Sequence, residues 1–259
     1  QAPPVNAFNQ LVTSPRSYLV GATQKKDELG YWQPKLAGLD WMRIFPDSDN
    51  LPPDWDDSRI GFCQAFNAMP FLSSKVDGDA TKLAALSTHL KAMPSWILNH
   101  PDPDFCVWLT DRHEPEGDLA GGPAAYKANM VKAWNMVQAL PSAIRARVKF
   151  GPVLTRQYTE NTSGRSYADY DPNIGDFFGV DMYMNSWNPA AATDVATTFV
   201  NPVSFLAGFK AYRYDPSDTR VRVMPELGAI GILNDVDGTQ RAAWIQAVDA
   251  EIRSWTVAA

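Results

Sequence analysis

Residues 105–118, Phe-Cys-Val-Trp-Leu-Thr-Asp-Arg-His-Glu-Pro-Glu-Gly-Asp, pass from an apolar run into a dense group of charges. The run is of the kind that forms a strand buried on both faces. His113, Glu114 and Glu116 follow it, broken by Pro115 and Gly117. Carboxylates at the loop end of a buried strand sit where their surroundings can tune their pKa values. A second short apolar run, 220–228 (Arg-Val-Arg-Val-Met-Pro-Glu-Leu-Gly), ends in a single carboxylate, Glu226, with Gly228 two residues on. Two acids on two strand ends suit the cleavage of a glycosidic bond, where one carboxyl handles a proton and the other acts on the sugar carbon.

Such acids must be held by rigid elements. Apolar runs predict strands at 17–22, 39–45, 68–74, 105–110, 148–154, 177–183 and 220–225,. Helices are expected at 27–36, 79–93, 123–140, 202–212 and 238–255, and the Pro- and Asp-rich stretch 51–57 must be a loop,. Leu83, Leu86, Leu90 and Met93 fall on one face of the second helix, and Met130, Trp134 and Val137 on one face of the third,. Strands alternating with helices imply a parallel sheet with right-handed crossovers. The 259 residues are close to the ~250 of one (β/α)8 TIM barrel, so a single domain spanning 1–259 is expected,. The seven strands leave only 255–259 for an eighth, which is therefore short or missing.

With 45% hydrophobic and 20% charged residues, the composition is that of an ordinary globular chain,. No apolar run approaches the ~20 residues that cross a bilayer, so no membrane partner is expected. A net charge of −6 argues against nucleic acid, whose affinity depends on basic surface,. Nine Trp and nine Tyr offer flat faces for sugar rings, although most such rings are core,. Cys63 and Cys106 are compatible with one disulfide, and Cys106 is equally placed as a buried free thiol,. The opening Gln-Ala-Pro-Pro resembles what remains after a signal peptide is removed, which suggests export,. The His113-Glu114-Pro115-Glu116-Gly117 run is not the His-Glu-x-x-His zinc motif, and only His89 and His100 accompany His113,. No Gly-x-Ser-x-Gly elbow or phosphate loop occurs, so neither metal nor nucleotide nor any other cofactor is expected,.

His113-Glu114 after the fourth strand resembles the acid/base strand of clan A glycoside hydrolases, where Asn-Glu or His-Glu takes that place. The His form is most similar to family 26, which includes β-mannanases and related endo-acting enzymes. Pro225-Glu226-Leu227-Gly228 resembles that family's nucleophile segment, and Trp41-Met42-Arg43-Ile44-Phe45 its second strand, whose Arg lies below the nucleophile. The chain departs from the family at 115–122, Pro-Glu-Gly-Asp-Leu-Ala-Gly-Gly, where an aromatic-rich stretch is usual. The resemblance implies a retaining hydrolase of polysaccharides or oligosaccharides, monomeric and exported, with Glu114 as acid/base and Glu226 as nucleophile.

The remaining candidates each carry two readings. Glu116 is the rival to Glu114; Pro115 sets it further along the loop, as a rim residue. Arg43 would keep a carboxylate nucleophile ionised or pair with Asp181. His113 would bind the sugar or the nucleophile, and Tyr183 would hold Glu226 or be a core phenol. Trp41 and Trp187 are sugar platforms or core rings, and Lys75 closes the third strand. Retaining chemistry asks for carboxyls about 5–5.5 Å apart, expected for Glu114 with Glu226 and exceeded for Glu116 with Glu226.

Overall fold

The computed structural model describes residues 21–23, 40–47, 49–156, 166–184, 201–229 and 239–256. The apolar runs form parallel strands: β1 (Gly21–Thr23), β2 (Trp41–Ile44), β3 (Met69–Ser74), β4 (Val107–Asp111) and β5 (Val148–Phe150), hydrogen-bonded in that order. β2, β3 and β4 are buried at every position. That requires cover on both sides, as in an α/β wall. Beyond β5 come β6 (Val153–Thr155), β7 (Phe177–Met184), β8 (Val221–Val223) and β9 (Leu227–Ala229). β6 and β8 pair with β7, and β9 pairs with the C-terminal end of β7, all in parallel.

One of the expected strands is therefore broken in two, and another is shortened and followed by a separate strand. At 148–154 the break is Gly151-Pro152: a Cβ on Gly151 would meet the Phe177 carbonyl oxygen at 2.2 Å, so only glycine admits β7 this close,. Hydrogen bonds from Gly151 N–H to Leu109 O (3.2 Å) and from Gly179 N–H to Pro152 O (2.8 Å) carry the ladder through the break. The strand expected at 220–225 ends at Val223 as β8, and after a break over 224–226 the chain resumes pairing as β9. Met182 N–H still donates to Glu226 O at 2.8 Å across it.

The helices are α1 (Ser58–Phe66), α2 (Ala80–Lys91), α3 (Ser95–Leu98), α4 (Pro115–Asp118), α5 (Gly122–Gln138), α6 (Ser142–Arg145), α7 (Tyr167–Tyr170), α8 (Pro202–Ala211) and α9 (Thr239–Thr256). Asp57 caps α1 by accepting from Arg59 N–H, and Asp79 caps α2 by accepting from Lys82 N–H,. Leu86 and Leu90 go into the core from α2 and Met93 from just beyond its end, and Met130 and Val137 from α5,. The helix expected at 27–36 and the first residues of the strand expected at 17–22 lie outside the described residues.

The wall curls. Phe71 on β3 and Phe177 on β7 have ring centroids 5.6 Å apart, and Arg43 on β2 reaches Asp181 on β7 at 3.3 Å. On a flat sheet, four strand steps of about 4.8 Å would hold β2 and β7 some ~19 Å apart. Trp41, Phe71, Trp108 and Phe177 interlock on the concave side as a floor of aromatic rings at the lower, N-terminal part of the wall. On the same lower side Arg220, just before β8, holds Asp171 at 2.6 and 2.8 Å and Asp218 at 2.9 Å. Ion pairs on this face of a parallel α/β fold serve stability.

Two alternatives that the sequence left open are narrowed here. Residues 255 and 256 are not a stub of an eighth strand but the last turn of α9. Trp255 Nε1 donates to Glu251 Oε1 one turn back at 2.7 Å, and its ring packs on Phe209 of α8, which keeps the chain helical. Residues 257–259 lie outside the described residues. Cys63 and Cys106 form no disulfide: both are buried free thiols, one on α1 and the other just ahead of β4.

Candidate active site

Strands β2 and β3 supply the base of the site. Successive strand residues face opposite sides, so Arg43 shares the concave face with Trp41 and lies one layer above it. Its guanidinium is wholly buried and sits over the Phe71 ring at 4.9 Å. Arg43 Nε donates to Ser73 Oγ at 3.1 Å, and Nη1 donates to Asp181 Oδ1 at 3.3 Å. Its Nη2 points at Glu226 Oε1, 3.9 Å away. Arg43 thus pairs with Asp181, one of its two readings, and also faces Glu226.

Glu226 stands in the break between β8 and β9, with its side chain only 13% exposed. Its carboxyl is raised above the ordinary range, first by burial and then by the charge of Glu114, while Arg43 draws it down. A low pKa is the expectation for a nucleophile; here burial outweighs a cation at 3.9 Å,. Asp181 is fully buried and raised well above its usual range, by burial first, against the pull of Arg43 and with the push of Glu226, Glu114 and Glu116.

The acid/base candidate is carried by an unusual turn. Arg112 and Glu114 both adopt the left-handed backbone region, φ 50° and 54°. For side chains with a Cβ this costs about 1–2 kcal/mol each. The turn is held from outside: Arg112 N–H donates to Ser74 O at 2.8 Å, and Glu114 N–H to Val153 O at 3.0 Å. The Arg112 guanidinium pairs with Asp77. Asp111, at the end of β4, accepts from Val76 N–H (2.8 Å) and Ser74 Oγ (3.0 Å), tying the β3 and β4 loops together. Burial lifts the Asp111 carboxyl to about 6.

Glu116 is not a rim residue. The turn folds it back so that it is 8% exposed, and its Oε1 accepts from Thr155 N–H at 2.9 Å at the end of β6. Glu114 is the neighbouring acid whose charge bears on Glu226; Glu116 acts instead on Asp181. His113 lies 5.2 Å from the Phe45 ring, and its Nδ1 has no hydrogen-bond partner among the described residues. Burial, then Arg43, Lys75 and Arg112, push its pKa well down, so the imidazole is neutral. Lys75 follows β3, close enough for its charge to act on His113, and its backbone N–H donates to Asn50 O at 2.8 Å.

Of its two readings, Trp41 takes that of a core ring. It is 9% exposed, opens β2 at the lower end, and meets Phe71 edge-on at 5.4 Å. It lies beneath Arg43, on the far side of that residue from the carboxylates. Tyr183 stands two residues beyond Asp181 on β7, in register with Gly228. Trp187 lies outside the described residues. Sequence reasoning passed over Ser73, Ser74, Asp111 and Phe45. The signal for the first three was polar residues inside otherwise apolar strands.

The chain matches no protein-family model and no curated protein. Among solved structures it is similar to a β-glucuronidase of Bifidobacterium dentium, at 12% identity and TM-score 0.51 over 91% of this chain and 38% of that one. It is also similar to a β-glycosidase of Pyrococcus horikoshii (11% identity, TM-score 0.49, covering 93% and 84%). A third neighbour is a β-mannanase from a symbiotic protist of the termite Reticulitermes speratus (13% identity, TM-score 0.43, covering 89% and 86%). At these identities the likeness is one of fold, and it rests on the first of the three, of whose length this chain spans 38%. The fold it shares with that β-glucuronidase is one of parallel strands alternating with helices.

Proposed function

We propose that the protein is a retaining glycoside hydrolase acting by double displacement. The observation that carries this reading is that Glu114, from the turn after β4, lies near enough for its charge to act on Glu226, from the break between β8 and β9. Both lie at the upper ends of strands remote in sequence, and the charge of one raises the pKa of the other. In the first step a Glu226 oxygen attacks the anomeric carbon while the bond to the leaving oxygen breaks and takes the Glu114 proton. In the second, water attacks the same carbon, Glu114 takes a proton from it, and Glu226 leaves as carboxylate. Arg43 stabilises that carboxylate, and the buried, neutral His113 offers Nδ1 to a sugar hydroxyl. The strand-end motifs resemble those of family 26, which makes β-mannans and gluco-mannans the first substrates to test and endo cleavage the first mode.

The test is incubation with a panel of β-linked polysaccharides and aryl oligosaccharides, with the first-formed anomer read by proton NMR. The expected product keeps the substrate's anomeric configuration. Glu226→Ala should lower turnover on the order of 10⁴-fold or more while the protein stays folded. Near-normal turnover by Glu226→Ala, or an inverted first product, refutes the assignment. Glycan binding with no cleavage by the parent protein refutes the enzymatic reading altogether.

A further inference from the structure

The double displacement described above uses two carboxyls, yet the buried layer holds a third. Asp181 is wholly buried and touches the same guanidinium as Glu226. We propose that Asp181 is a positioning residue held protonated at neutral pH, occupying one arm of Arg43 without taking its charge. The inference rests on the reading of Glu226 as the nucleophile, which that charge then serves.

Three observations point this way. The first is geometric. Among the other arginine–carboxylate pairs, Arg220 holds Asp171 through two contacts of 2.6 and 2.8 Å and Arg59 holds Asp57 at 2.9 Å, while the more open Arg145–Asp176 pair stands at 3.1 and 3.3 Å. Charge-assisted N–H···O bonds are typically about 2.7–2.9 Å. Arg43 meets Asp181 through one oxygen only, at 3.3 Å, beyond the charge-assisted range although both side chains are wholly buried,. The second is hydrogen bonding. Asp181 Oδ2 has no partner among the described residues. An ionised carboxylate has roughly four lone-pair sites to satisfy, whereas a protonated oxygen becomes a donor. The third is charge balance. The groups that face Asp181 are Arg43 from β2, Ser73 beside it on β3, Glu114 and Glu116 from the turn after β4, and Glu226 from the break after β8. The cation paired with Asp181 is Arg43, which also faces Glu226, and one guanidinium shared between two buried carboxyls favours a proton on the more deeply buried of them, as in other carboxyl dyads that share a proton,. Asp181 is fully buried while Glu226 keeps 13% exposure, so Asp181 holds the proton and Glu226 is the first of the pair to ionise.

The consequence is functional. An ionised Asp181 would divide the field of Arg43 and repel Glu226. A neutral one anchors Nη1, fixes the orientation of the guanidinium against Ser73, and leaves Nη2 facing the nucleophile with its charge undivided.

The test is a carbon-13 NMR titration of the wild-type protein labelled at aspartate Cγ, with the Asp181 resonance assigned through its own backbone. The expected result is a protonated-carboxyl shift for Asp181 that persists at neutral pH; an ionised shift there overturns the proposal. This readout needs neither turnover nor a folded variant, so it stands whether or not a glycoside is cleaved. On a cleaved substrate, Asp181→Asn is expected to leave the acid limb of kcat/KM within about 0.3 pH unit, because no charge is removed. A downward shift of about one unit or more in that limb shows that a negative charge was lost, and likewise overturns it.

Discussion

Replacing Arg43 by Met keeps the length of the side chain and its packing on Phe71 and Phe45 but removes the charge that the carboxyl layer is built on. At an effective dielectric of about 20, a unit charge 3.9 Å from Glu226 contributes about 4 kcal/mol of attraction, and one 3.3 Å from an ionised Asp181 would add about 5,. Part of this is offset by the desolvation of Arg43 itself, so the net loss expected is the ~3–5 kcal/mol of a broken buried pair. The loss depends on pH in a definite direction. Glu226 already has a raised carboxyl, and without Arg43 it rises further. A carboxyl raised in the folded state favours folding below its unfolded pKa and loses that contribution as pH climbs through the folded value. The Arg43→Met penalty is therefore largest near pH 8 and smaller near pH 5, by about 1.4 kcal/mol for each unit of further rise. Urea unfolding followed by tryptophan fluorescence reports this directly, because Trp41 and Trp108 lie in the ring floor below Arg43,. A penalty under about 1 kcal/mol at both pH values, or one that does not change with pH, refutes the view that Arg43 carries the charge balance of the site.

Glu114→Ala should lower kcat most for poor leaving groups and least for activated aryl glycosides. Glu116→Ala, by contrast, should cost about 1.5–3 kcal/mol of stability through the loss of the acceptor for Thr155 N–H, with the same dependence on leaving group as the parent,; the opposite pattern moves the acid/base role to Glu116. Trp41→Ala should cost ~3–5 kcal/mol of stability as a core truncation and leave KM unchanged; a raised KM with unchanged stability restores it as a platform,. Asp111 is raised from 3.8 to about 6, so its ionisation opposes folding as pH rises through that window,. Asp111→Asn should therefore gain about 3 kcal/mol on the parent between about pH 4 and pH 7 in unfolding measurements, and a flat difference curve excludes the shift,.

The strands were legible because buried parallel strands read as apolar runs, and β2, β3 and β4 are buried throughout,. The break at Gly151-Pro152 was also written in the chain, as a residue without a side chain beside one without an N–H, but a run of Val, Phe and Leu around it reads as one strand. α1 was hidden for a different reason. Its sequence, Ser-Arg-Ile-Gly-Phe-Cys-Gln-Ala-Phe, has weak periodicity and a glycine inside, and it is helical because Asp57 caps it and Ile60 and Cys63 find the core. Glu114 and Glu226 could be picked out by type and position, and so could Arg43 and Asp181 as partners. The burial of Glu116 could not. It follows from left-handed backbone at Arg112 and Glu114, which no local preference favours and which Ser74 and Val153 impose from neighbouring strands,. Whether Trp41 faces the floor or the mouth is likewise a matter of register, two residues below Arg43, and composition says nothing about it.

The layering explains why the carboxyls behave as one unit. Trp41, Phe71, Trp108 and Phe177 fill the space under Arg43 with rings, and a largely apolar floor lowers the local dielectric and strengthens each charge above it. Had β8 continued unbroken into β9, residue 226 would have been one more rung of the ladder, facing one side or the other by parity alone. The break lets its carbonyl accept from Met182 N–H while the carboxyl turns toward Arg43. The turn after β4 does the same for Glu114, whose N–H goes to Val153 O while its charge reaches Glu226. In both places the backbone stays hydrogen-bonded to a neighbouring strand where the regular geometry ends. Each acid is thereby fixed by main-chain bonds on one side and left to respond electrostatically on the other, which is what a pair with opposite protonation states requires.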